Sequence, residues 1–229
     1  MKADDIEAIR KKVNNRNSII FGTRYHRGLI SKVLKSVPPQ SKRILDIGCG
    51  YGNMTKFLEK KGDTIVGLDL GGLFYRPYVS EKLSFLKSDA LHIPFHDDTF
   101  DCLISLDVIE HIEDDQSLVD EVKRVLKPKG LAIIETPNRH RLSAELLSLF
   151  KSNSQNFPKS YGHDELLGDI IHIREYTKPE LEKLFKLSKF KEIKVSGHWF
   201  GLTSPEIGIE KPWRTFERFS QSWILTAVK

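Results

Sequence analysis

The chain has 229 residues, 39% of them hydrophobic, and a formal net charge of +5. This length suits one α/β domain with additional segments, which can bury about 70% of its unfolded surface. No apolar run reaches the roughly 18 residues that a bilayer-spanning helix needs, and the first residues are too polar for a signal peptide. Cys49 and Cys102 form no C-x-x-C pair, so neither a disulfide nor a zinc site is indicated, and we expect a cytoplasmic protein.

Basic residues are concentrated at the start of the chain. Residues 1–43 contain eleven Lys or Arg and three Asp or Glu, so the remaining residues carry a net charge of −3. We expect helices at 3–14 and 24–36 in this part. A basic arm can attract a phosphorylated substrate, nucleic acid or an anionic membrane surface. A solvated helix face is the simpler explanation and the one we favour. Nothing in the sequence indicates an oligomeric state.

Three alternating glycines after an apolar run form the most informative segment. The run 44–47 predicts a buried strand, and 54–61 predicts the helix that follows it. Gly48, Gly50 and Gly52 lie between the two, where the absence of a Cβ lets the backbone turn sharply and approach a ligand. Taken alone this is a weak signal, because any tight turn after a strand can contain glycines.

A second predicted strand, 65–69, ends in a carboxylate. Asp69 lies 21 residues after Gly48, and a Rossmann-like site places the acid that accepts hydrogen bonds from ribose hydroxyls at about this distance. Asp69 alone could be a solvated loop acid. Together with the glycine turn it predicts a nucleoside cofactor across the ends of the two strands.

The glycine spacing distinguishes between cofactors. A dinucleotide-binding turn has the spacing G-x-G-x-x-G, whereas this turn has G-x-G-x-G, with Asp46 two residues before the first glycine. A carboxylate at that position suits an ammonium group better than a pyrophosphate. The pattern resembles motif I of the class I S-adenosylmethionine-dependent methyltransferases. The resemblance implies that Gly48 and Gly50 approach the aminoacyl part of S-adenosylmethionine and that Asp46 binds its amino group. It also implies that Asp69, with Leu70 beside it, binds the ribose.

The resemblance extends along the chain. After a predicted third strand at 83–86, Asp89 and Ala90 match the acid–small pair that meets the adenine amino group in this family. Residues 93–101 resemble the family segment that leads into the fourth strand, 102–106. The closest resemblance is to the UbiE/UbiG-like small-molecule branch.

A further match precedes the predicted fifth strand, 131–135. Residues 124–131 resemble the family's turn before that strand, and Lys129 replaces a usual glycine there. We expect Gly130 to take the positive φ that this turn needs. The whole resemblance covers roughly residues 41–190.

The resemblance also implies a fold. It is α/β and Rossmann-like, the class I methyltransferase fold, with a seven-stranded, mostly parallel sheet, helices on both faces and an N-terminal helical cap. Alternating strands and helices over 44–135 independently predict a parallel sheet with right-handed crossovers. We expect a single domain over 1–229, with the cap at 1–40, the cofactor-binding core at 41–150, and substrate-side insertions with the last strands at 151–229.

The later part of the chain departs from simple alternation. Residues 140–150 predict a helix, and the polar stretch 151–156 is typical of a lid, a binding loop or local disorder. Thr177 and Glu180 then form a capping-box pattern that predicts the start of another helix. The last two strands are predicted at 191–197 and 221–228.

Aromatic residues between those strands recur at a spacing of three. Trp213, Phe216 and Phe219 predict a helix stripe that faces the core. A flap over the substrate or a contact with a membrane surface is the disfavoured alternative.

Residues at the end of the fourth strand are the candidates for catalysis. By the family pattern Leu106 contacts the cofactor. His111 is our candidate general base, since its unperturbed pKa is near 6.5 and a hydroxyl acceptor needs a base at neutral pH. By the same resemblance Tyr25 and Arg27 could approach the methionyl carboxylate, although ordinary surface roles are the stronger interpretation for both.

The same segment also resembles a metal site. On a helix, Asp107, Glu110 and His111 would share one face, and His172 could approach them. The D-x-x-E-H pattern resembles the E-x-x-E-H metal site of some ubiquinone-pathway O-methyltransferases and of small-RNA 2′-O-methyltransferases. Asp107 replaces the first Glu of that metal site with a shorter side chain. Glu110 and His111 could also simply cap and orient the helix. A divalent metal is therefore possible but not expected.

Four functions compete. The sequence favours a methyltransferase that uses S-adenosylmethionine and acts on oxygen, nitrogen or carbon of a small-molecule acceptor. An RNA methyltransferase is the first alternative, but the fourth strand ends in Ser105-Leu106-Asp107 without the N-P-P-Y/F signature of amino-methylating nucleic-acid enzymes. Nucleic acid is therefore disfavoured as a partner. A non-catalytic cofactor-binding protein comes next, and an NAD oxidoreductase last because of the glycine spacing.

Overall fold

The computed structural model describes residues 23–72, 74, 78–142, 163–164, 168–169, 172–202, 207–210, 213 and 215–229. The α-helices are α1 (Arg24–Ser36), α2 (Asn53–Leu58), α3 (Asp115–Val125) and α4 (Lys178–Leu187), with single 3-10 turns at Ile109–His111 and Glu217–Phe219. The strands are β1 (Arg43–Ile47), β2 (Thr64–Asp69), β3 (Leu83–Lys87), β4 (Phe100–Leu106), β5 (Leu126–Pro137), β6 (His163–Asp164), β7 (Gly168–Asp169), β8 (Lys191–His198), β9 (Phe200–Leu202), β10 (Ile207–Ile209) and β11 (Ser222–Val228).

Seven of these strands form one sheet in the order β3-β2-β1-β4-β5-β11-β8. Neighbours from β3 to β5 are parallel, and β11 runs antiparallel to both β5 and β8. The predicted seven-stranded, mostly parallel sheet is confirmed. The strand order reverses between β1 and β4, and in open α/β sheets ligands bind at the carboxyl ends of the strands beside such a reversal.

Helices cover both faces of the sheet, because successive side chains of a buried strand point to opposite sides. On one face, α3 and α4 pack through Val122 and Phe185 against Leu45 and Leu103 of the central strands. On the other face, α1 and α2 pack around Ile44 in a second cluster. The predicted helix at 24–36 is α1, whereas the helix after the glycine turn ends at Leu58, three residues earlier than predicted.

Arg124 joins two of the segments that resemble the methyltransferase pattern. Its guanidinium donates hydrogen bonds to the carbonyl oxygens of Ile93 and Phe95, both at 2.8 Å. It also contacts the carboxylates of Glu121 at 2.6 Å and Asp97 at 2.9 Å. A planar guanidinium can serve all of these acceptors at once. The 93–101 segment is therefore held against the end of α3.

The turn that begins β5 corrects one prediction. Lys129 has a φ of 66° and takes the left-handed conformation that we expected of Gly130. Gly130 is needed for space instead, because a Cβ there would lie 2.8 Å from the carbonyl oxygen of Lys127. The strand also begins at Leu126 rather than at 131.

The predicted aromatic helix stripe is wrong. The described residues between β9 and β11 form the short strand β10 and one 3-10 turn, and Trp213 is 72% exposed. Phe216 is also exposed, and its ring lies 5.2 Å from that of Phe200. A spacing of three fits a 3-10 turn or an irregular segment as well as an α-helix. By contrast, Glu180 accepts a hydrogen bond from the Thr177 backbone N–H at 2.8 Å at the start of α4, as the capping box predicts.

Several predictions lie outside the described residues, namely the helix at 3–14, most of the helix at 140–150 and the polar stretch at 151–156. Within the described ranges, every helix is too short or too polar to cross a bilayer.

Replacing Arg124 with Ala should lower the free energy of unfolding by roughly 2 kcal/mol, because two backbone carbonyls and two carboxylates lose a charged donor. Chemical denaturation measures this change. Lys186→Ala, which removes an exposed contact with Glu182 at 3.7 Å, is the control and should change stability by less than about 0.5 kcal/mol. Equal effects of the two substitutions would contradict the role given to Arg124.

Candidate functional site

The glycine turn leaves β1 through three alternating glycines in the left-handed conformation. Gly48, Gly50 and Gly52 have φ values of 69°, 51° and 90°. A Cβ on Gly48 would collide with Val108, and one on Gly52 would collide with Phe85. Protein side chains therefore fill the space beside both glycines. A Cβ on Gly50 would meet no atom within 4 Å. The backbone at Gly50 therefore faces open space.

Asp69 is tied directly to this turn. One of its carboxylate oxygens accepts a hydrogen bond from the Gly50 N–H at 2.9 Å, and the other accepts one from the Gly71 N–H at 2.8 Å. The backbone N–H groups of Gly48 and Cys49 donate to the carbonyl oxygen of Leu68 at 2.8 and 3.1 Å. These bonds fix the end of β1 against the end of β2 and set the carboxylate beside the open space at Gly50.

Asp46 lies behind the same turn and is only 2% exposed. Its carboxylate accepts a hydrogen bond from the Thr55 hydroxyl at 2.6 Å. Burial raises the pKa of Asp46 to about 7, the Thr55 hydrogen bond opposes this shift, and the charge of Asp69 adds to it. An ionised Asp46 therefore needs a positive partner to be stable in its buried position.

A cavity of about 290 Å³ opens at this edge of the sheet. Four residues predicted to bind the cofactor line it together, namely Asp46, Gly48, Gly50 and Leu106. The lining is completed by residues that were not predicted to bind the cofactor, namely His26, Leu29 and Ile30 of α1, Cys49, Tyr51, Asn53, Met54 and Asp107. The helix α1 thus closes one side of the cavity, as expected of a cap.

The remaining residues predicted to bind the cofactor lie outside this lining. Leu70 is 64% exposed, beside Asp69 at the end of β2. At the end of β3, the Asp89 carboxylate accepts a hydrogen bond from the Leu91 N–H at 2.9 Å, and Ala90 is buried. They are at the same edge of the sheet as the cavity, since β1, β2 and β3 are parallel neighbours.

The chain after β4 does not form an α-helix, on which Asp107, Glu110 and His111 would share one face. Asp107 has a φ of 52°, and a single 3-10 turn follows at Ile109–His111. The shared helix face predicted for Asp107, Glu110 and His111 is therefore wrong. Asp107 lines the cavity, whereas Glu110 is fully buried behind it.

Glu110, His111 and His172 form a cluster of ligand-type atoms. One atom from each lies within 4.8 Å of the others, and Glu110 Oε1 is 3.8 Å from His111 Nε2 and 4.0 Å from His172 Nε2. The other oxygen, Glu110 Oε2, accepts a hydrogen bond from the Thr136 hydroxyl at 3.0 Å, while Oε1 has no hydrogen-bond donor among the described residues. A buried unpartnered carboxylate oxygen with two histidines is a donor set that fits a divalent transition metal, with Asp107 outside the group.

Glu135 is the most informative residue that sequence reasoning missed. It stands beside Leu106 in the register of β4 and β5 and is 1% exposed. Its Oε1 atom accepts a hydrogen bond from the Tyr25 hydroxyl at 3.2 Å, and its Oε2 atom has no donor among the described residues. Burial, and then the charge of Asp107, holds the pKa of Glu135 well above its usual range. The sequence did contain one sign of its importance, because Glu135 is a single charged residue inside the apolar pattern of a predicted strand.

Tyr25 reaches this end of the site from α1. Besides the contact with Glu135, its hydroxyl is 3.0 Å from the Ser222 hydroxyl of β11. Tyr25 was considered as a residue that could approach the methionyl carboxylate, with an ordinary surface role as the stronger interpretation. Arg27, the other residue considered there, has an exposed side chain.

Part of this chain is similar in sequence to known proteins. Residues 45–134 match a family described as a methyltransferase domain. A ubiquinone biosynthesis O-methyltransferase of Rickettsia bellii is 31% identical over 62% of this chain and 62% of its own length. Norajmaline N-methyltransferase of Rauvolfia serpentina is 32% identical over 47% of this chain and 40% of its own. This chain thus spans between two fifths and three fifths of these two relatives.

A solved structure shows the same fold over nearly the whole chain. It is an S-adenosylmethionine-dependent methyltransferase of Thermotoga maritima, described as a possible histamine N-methyltransferase. The match has a TM-score of 0.70 at 20% identity and covers 96% of this chain and 97% of the other. Because the two sequences are only 20% identical, this similarity shows that the two proteins share a fold and nothing further.

The buried carboxylate of Asp46 predicts a pH dependence of stability. Its pKa rises from 3.8 to about 7 on folding, so between these values the folded state binds a proton that the unfolded state has released. Folding stability contributed by this group is present at low pH and is lost as pH rises through about 7. Asp46→Asn, which keeps an acceptor for Thr55, should therefore gain stability relative to the parent by on the order of 4 kcal/mol between pH 4 and pH 8. Denaturant unfolding of both proteins across this range measures the difference, and a constant difference would contradict the assignment.

Proposed function

We propose that this chain, whose residues 45–134 belong to the class I S-adenosylmethionine-dependent methyltransferases, transfers a methyl group from S-adenosylmethionine to a small-molecule acceptor. One observation supports this proposal most strongly: Gly50 faces open space in a cavity at the carboxyl edge of the sheet, where Asp46 also lines the cavity and Asp69 accepts the hydrogen bond of the Gly50 N–H. Two free cysteines agree with a cytoplasmic setting, which stays a prediction.

Each part of the cofactor has a proposed partner. Asp46 binds the amino group, since a positive partner stabilises its buried negative charge. Asp69 binds the ribose hydroxyls, and Asp89 with Ala90 binds the adenine. Gly48, Gly50 and Leu106 surround the methionyl part, and Leu70 covers the ribose from the solvent side.

Methyl transfer is an in-line displacement, in which S-adenosylmethionine supplies the methyl group and the protein aligns the acceptor. The acceptor lone pair forms the new bond to the methyl carbon, while the electron pair of the broken C–S bond stays on sulfur. We assign to His111 the role of accepting the proton that the acceptor loses. Glu110 Oε1, 3.8 Å from His111 Nε2, would stabilise the resulting imidazolium.

A metal-assisted version is the second candidate, favoured by the unpartnered Oε1 atom of Glu110. Glu110, His111 and His172 would hold the ion, and a divalent ion there would lower the pKa of an acceptor hydroxyl. An RNA acceptor has weaker support. The cavity lining contains no Lys or Arg among the described residues, although phosphate contacts dominate binding to nucleic acids.

Replacing Asp69 with Ala should weaken the binding of S-adenosylhomocysteine, measured by calorimetry, about 10- to 100-fold, because charged hydrogen bonds to the ribose are lost. Asp63→Ala is the matched control. It removes an exposed carboxylate at the amino end of the same strand, far from the cavity edge, and should leave the affinity within about twofold. An unchanged affinity for Asp69→Ala would remove the ribose assignment.

His111→Ala should lower turnover at least about 100-fold through loss of the base, with S-adenosylhomocysteine affinity unchanged. Replacement of His96, an exposed histidine before β4, is the control. A chelator separates the two candidates in the same assay. Full activity of the parent in chelator contradicts the metal-assisted version. Loss of activity that Mn²⁺ or Mg²⁺ restores contradicts the simple base role of His111.

A further inference from the structure

A second cavity, of about 370 Å³, opens at the amino edge of the sheet. Its lining comes from the turn before β1, from the segment between α2 and β2, and from the residue before β3. These three strands are parallel neighbours, so the cavity lies at the opposite end of the strands from the glycine turn. A strand of the length of β1 spans roughly 15 Å. The second cavity is therefore separate from the proposed cofactor site.

Four lysines line this cavity. Lys42, Lys60 and Lys82 are exposed, and Lys61 is half-buried. In the described part of the chain, none of their four ammonium groups forms an ion pair. Positive charges placed around one cavity repel one another. A bound anion would replace this repulsion by attraction.

Two carboxylates also belong to the lining, those of Glu59 and Asp63. The charge of Glu59 is already compensated, since its carboxylate lies 2.7 Å from Lys56 Nζ and accepts a hydrogen bond from the Ser80 hydroxyl at 2.5 Å. Neither of these two partners lines the cavity. Four lysines and two carboxylates give the lining a formal charge of +2. The cavity is therefore suited to an anion.

A buried hydroxyl in the same lining has no partner. Ser41 lines the cavity and is 5% exposed. Its backbone N–H donates to the carbonyl oxygen of Pro38 at 3.0 Å, but its hydroxyl forms no hydrogen bond with any described residue. Buried hydroxyls are normally hydrogen-bonded, and an exception calls for a partner that is supplied from elsewhere. An anion in the cavity can accept this hydrogen bond.

We propose that this cavity is a second ligand site, which binds the phosphate group of a small organic phosphate through the lysines and the Ser41 hydroxyl. A phosphate monoester carries up to about two negative charges at neutral pH and several acceptor oxygens, and lysine binds phosphate as a point charge. Small-molecule sites have volumes of about 300–1,000 Å³. A cavity of about 370 Å³ therefore also has room for the organic part of the ligand.

The test compares probes that differ in the phosphate group. Calorimetry at low ionic strength measures the binding of glucose 6-phosphate, glucose and pyrophosphate. We expect both phosphates to bind at millimolar concentration or tighter, and glucose to bind at least about 10-fold more weakly than glucose 6-phosphate. Added salt should weaken the binding of both phosphates, because exposed lysines are screened. Saturation with S-adenosylhomocysteine should leave their affinities within about twofold, since the two cavities are separate.

Neutral substitutions then locate the phosphate. Lys61→Gln combined with Lys82→Gln removes two of the four charges and should weaken the binding of glucose 6-phosphate about 10-fold. Lys186→Gln is the matched control, because Lys186 is an exposed residue of α4, on the opposite face of the sheet from α2. This control should leave the affinity within about twofold.

Ser41→Ala distinguishes a ligand contact from a structural contact. Because the hydroxyl has no protein partner among the described residues, its removal should leave the stability of the ligand-free protein unchanged or raised. The same substitution should weaken the binding of glucose 6-phosphate about 5-fold. A loss of ligand-free stability with unchanged phosphate affinity would contradict the role given to Ser41.

Three results would overturn the second site. They are the absence of binding by either phosphate, displacement of a bound phosphate by S-adenosylhomocysteine, and an affinity that the double lysine substitution leaves unchanged. Binding to RNA or to anionic lipid vesicles without binding of the small phosphates would also overturn it, since the lysines would then serve a macromolecular surface. All of these results leave the proposed methyl transfer untouched, because the binding of S-adenosylhomocysteine is measured separately.

Discussion

The hydrogen bond from the Gly50 N–H to the Asp69 carboxylate is the interaction on which the site depends. It requires the backbone to turn back from β1 towards β2 within a few residues, and the three left-handed glycines make that turn without steric cost. Val108 and Phe85 fill the space beside Gly48 and Gly52, so these two glycines serve to shape the turn. Gly50 alone leaves room, and that difference among three similar residues defines where a ligand can approach the backbone.

The cavity has a carboxylate at each of two ends, Asp46 at the glycine turn and Asp107 after β4. At the glycine turn, Asp46 is buried with one hydroxyl donor, and its raised pKa means that a cationic group must approach before the charge is stable. At the other end Asp107 lines the cavity, and the pKa of the buried Glu135 is raised by burial and by the charge of Asp107. The Asp46 end is thus suited to a positive group, which is consistent with the ammonium group of S-adenosylmethionine.

The sequence predicted the sheet and the glycine turn well, because both depend on local patterns. The apolar run before Gly48 and the 21-residue interval to Asp69 are short-range features that tertiary contacts do not alter. The capping box at Thr177 was predicted for the same reason. The roles assigned to Asp46, Asp69, Asp89 and His111 stay predictions, although the structure shows where each one lies.

The errors come from places where packing overrides the local pattern. The spacing of Asp107, Glu110 and His111 fits a helix, but a left-handed residue and a single 3-10 turn follow β4 instead. Gly130 was expected to have a positive φ, but Lys129 takes it, and Gly130 is needed because a Cβ there would have no room. Glu135 was missed because its importance comes from Tyr25 and Asp107, which are distant in sequence and meet only in the folded chain.

We propose that the cavity binds an S-adenosyl cofactor and not a nicotinamide dinucleotide. Thermal unfolding of the parent protein with S-adenosylhomocysteine, S-adenosylmethionine, NAD or NADP tests it most directly. A ligand at about 100 times its dissociation constant stabilises the folded state by about 2.7 kcal/mol, which should raise the Tm by roughly 5 to 10 °C. We expect this rise with the two S-adenosyl compounds alone. A rise with NAD or NADP alone would contradict it and show that the glycine spacing had been misinterpreted.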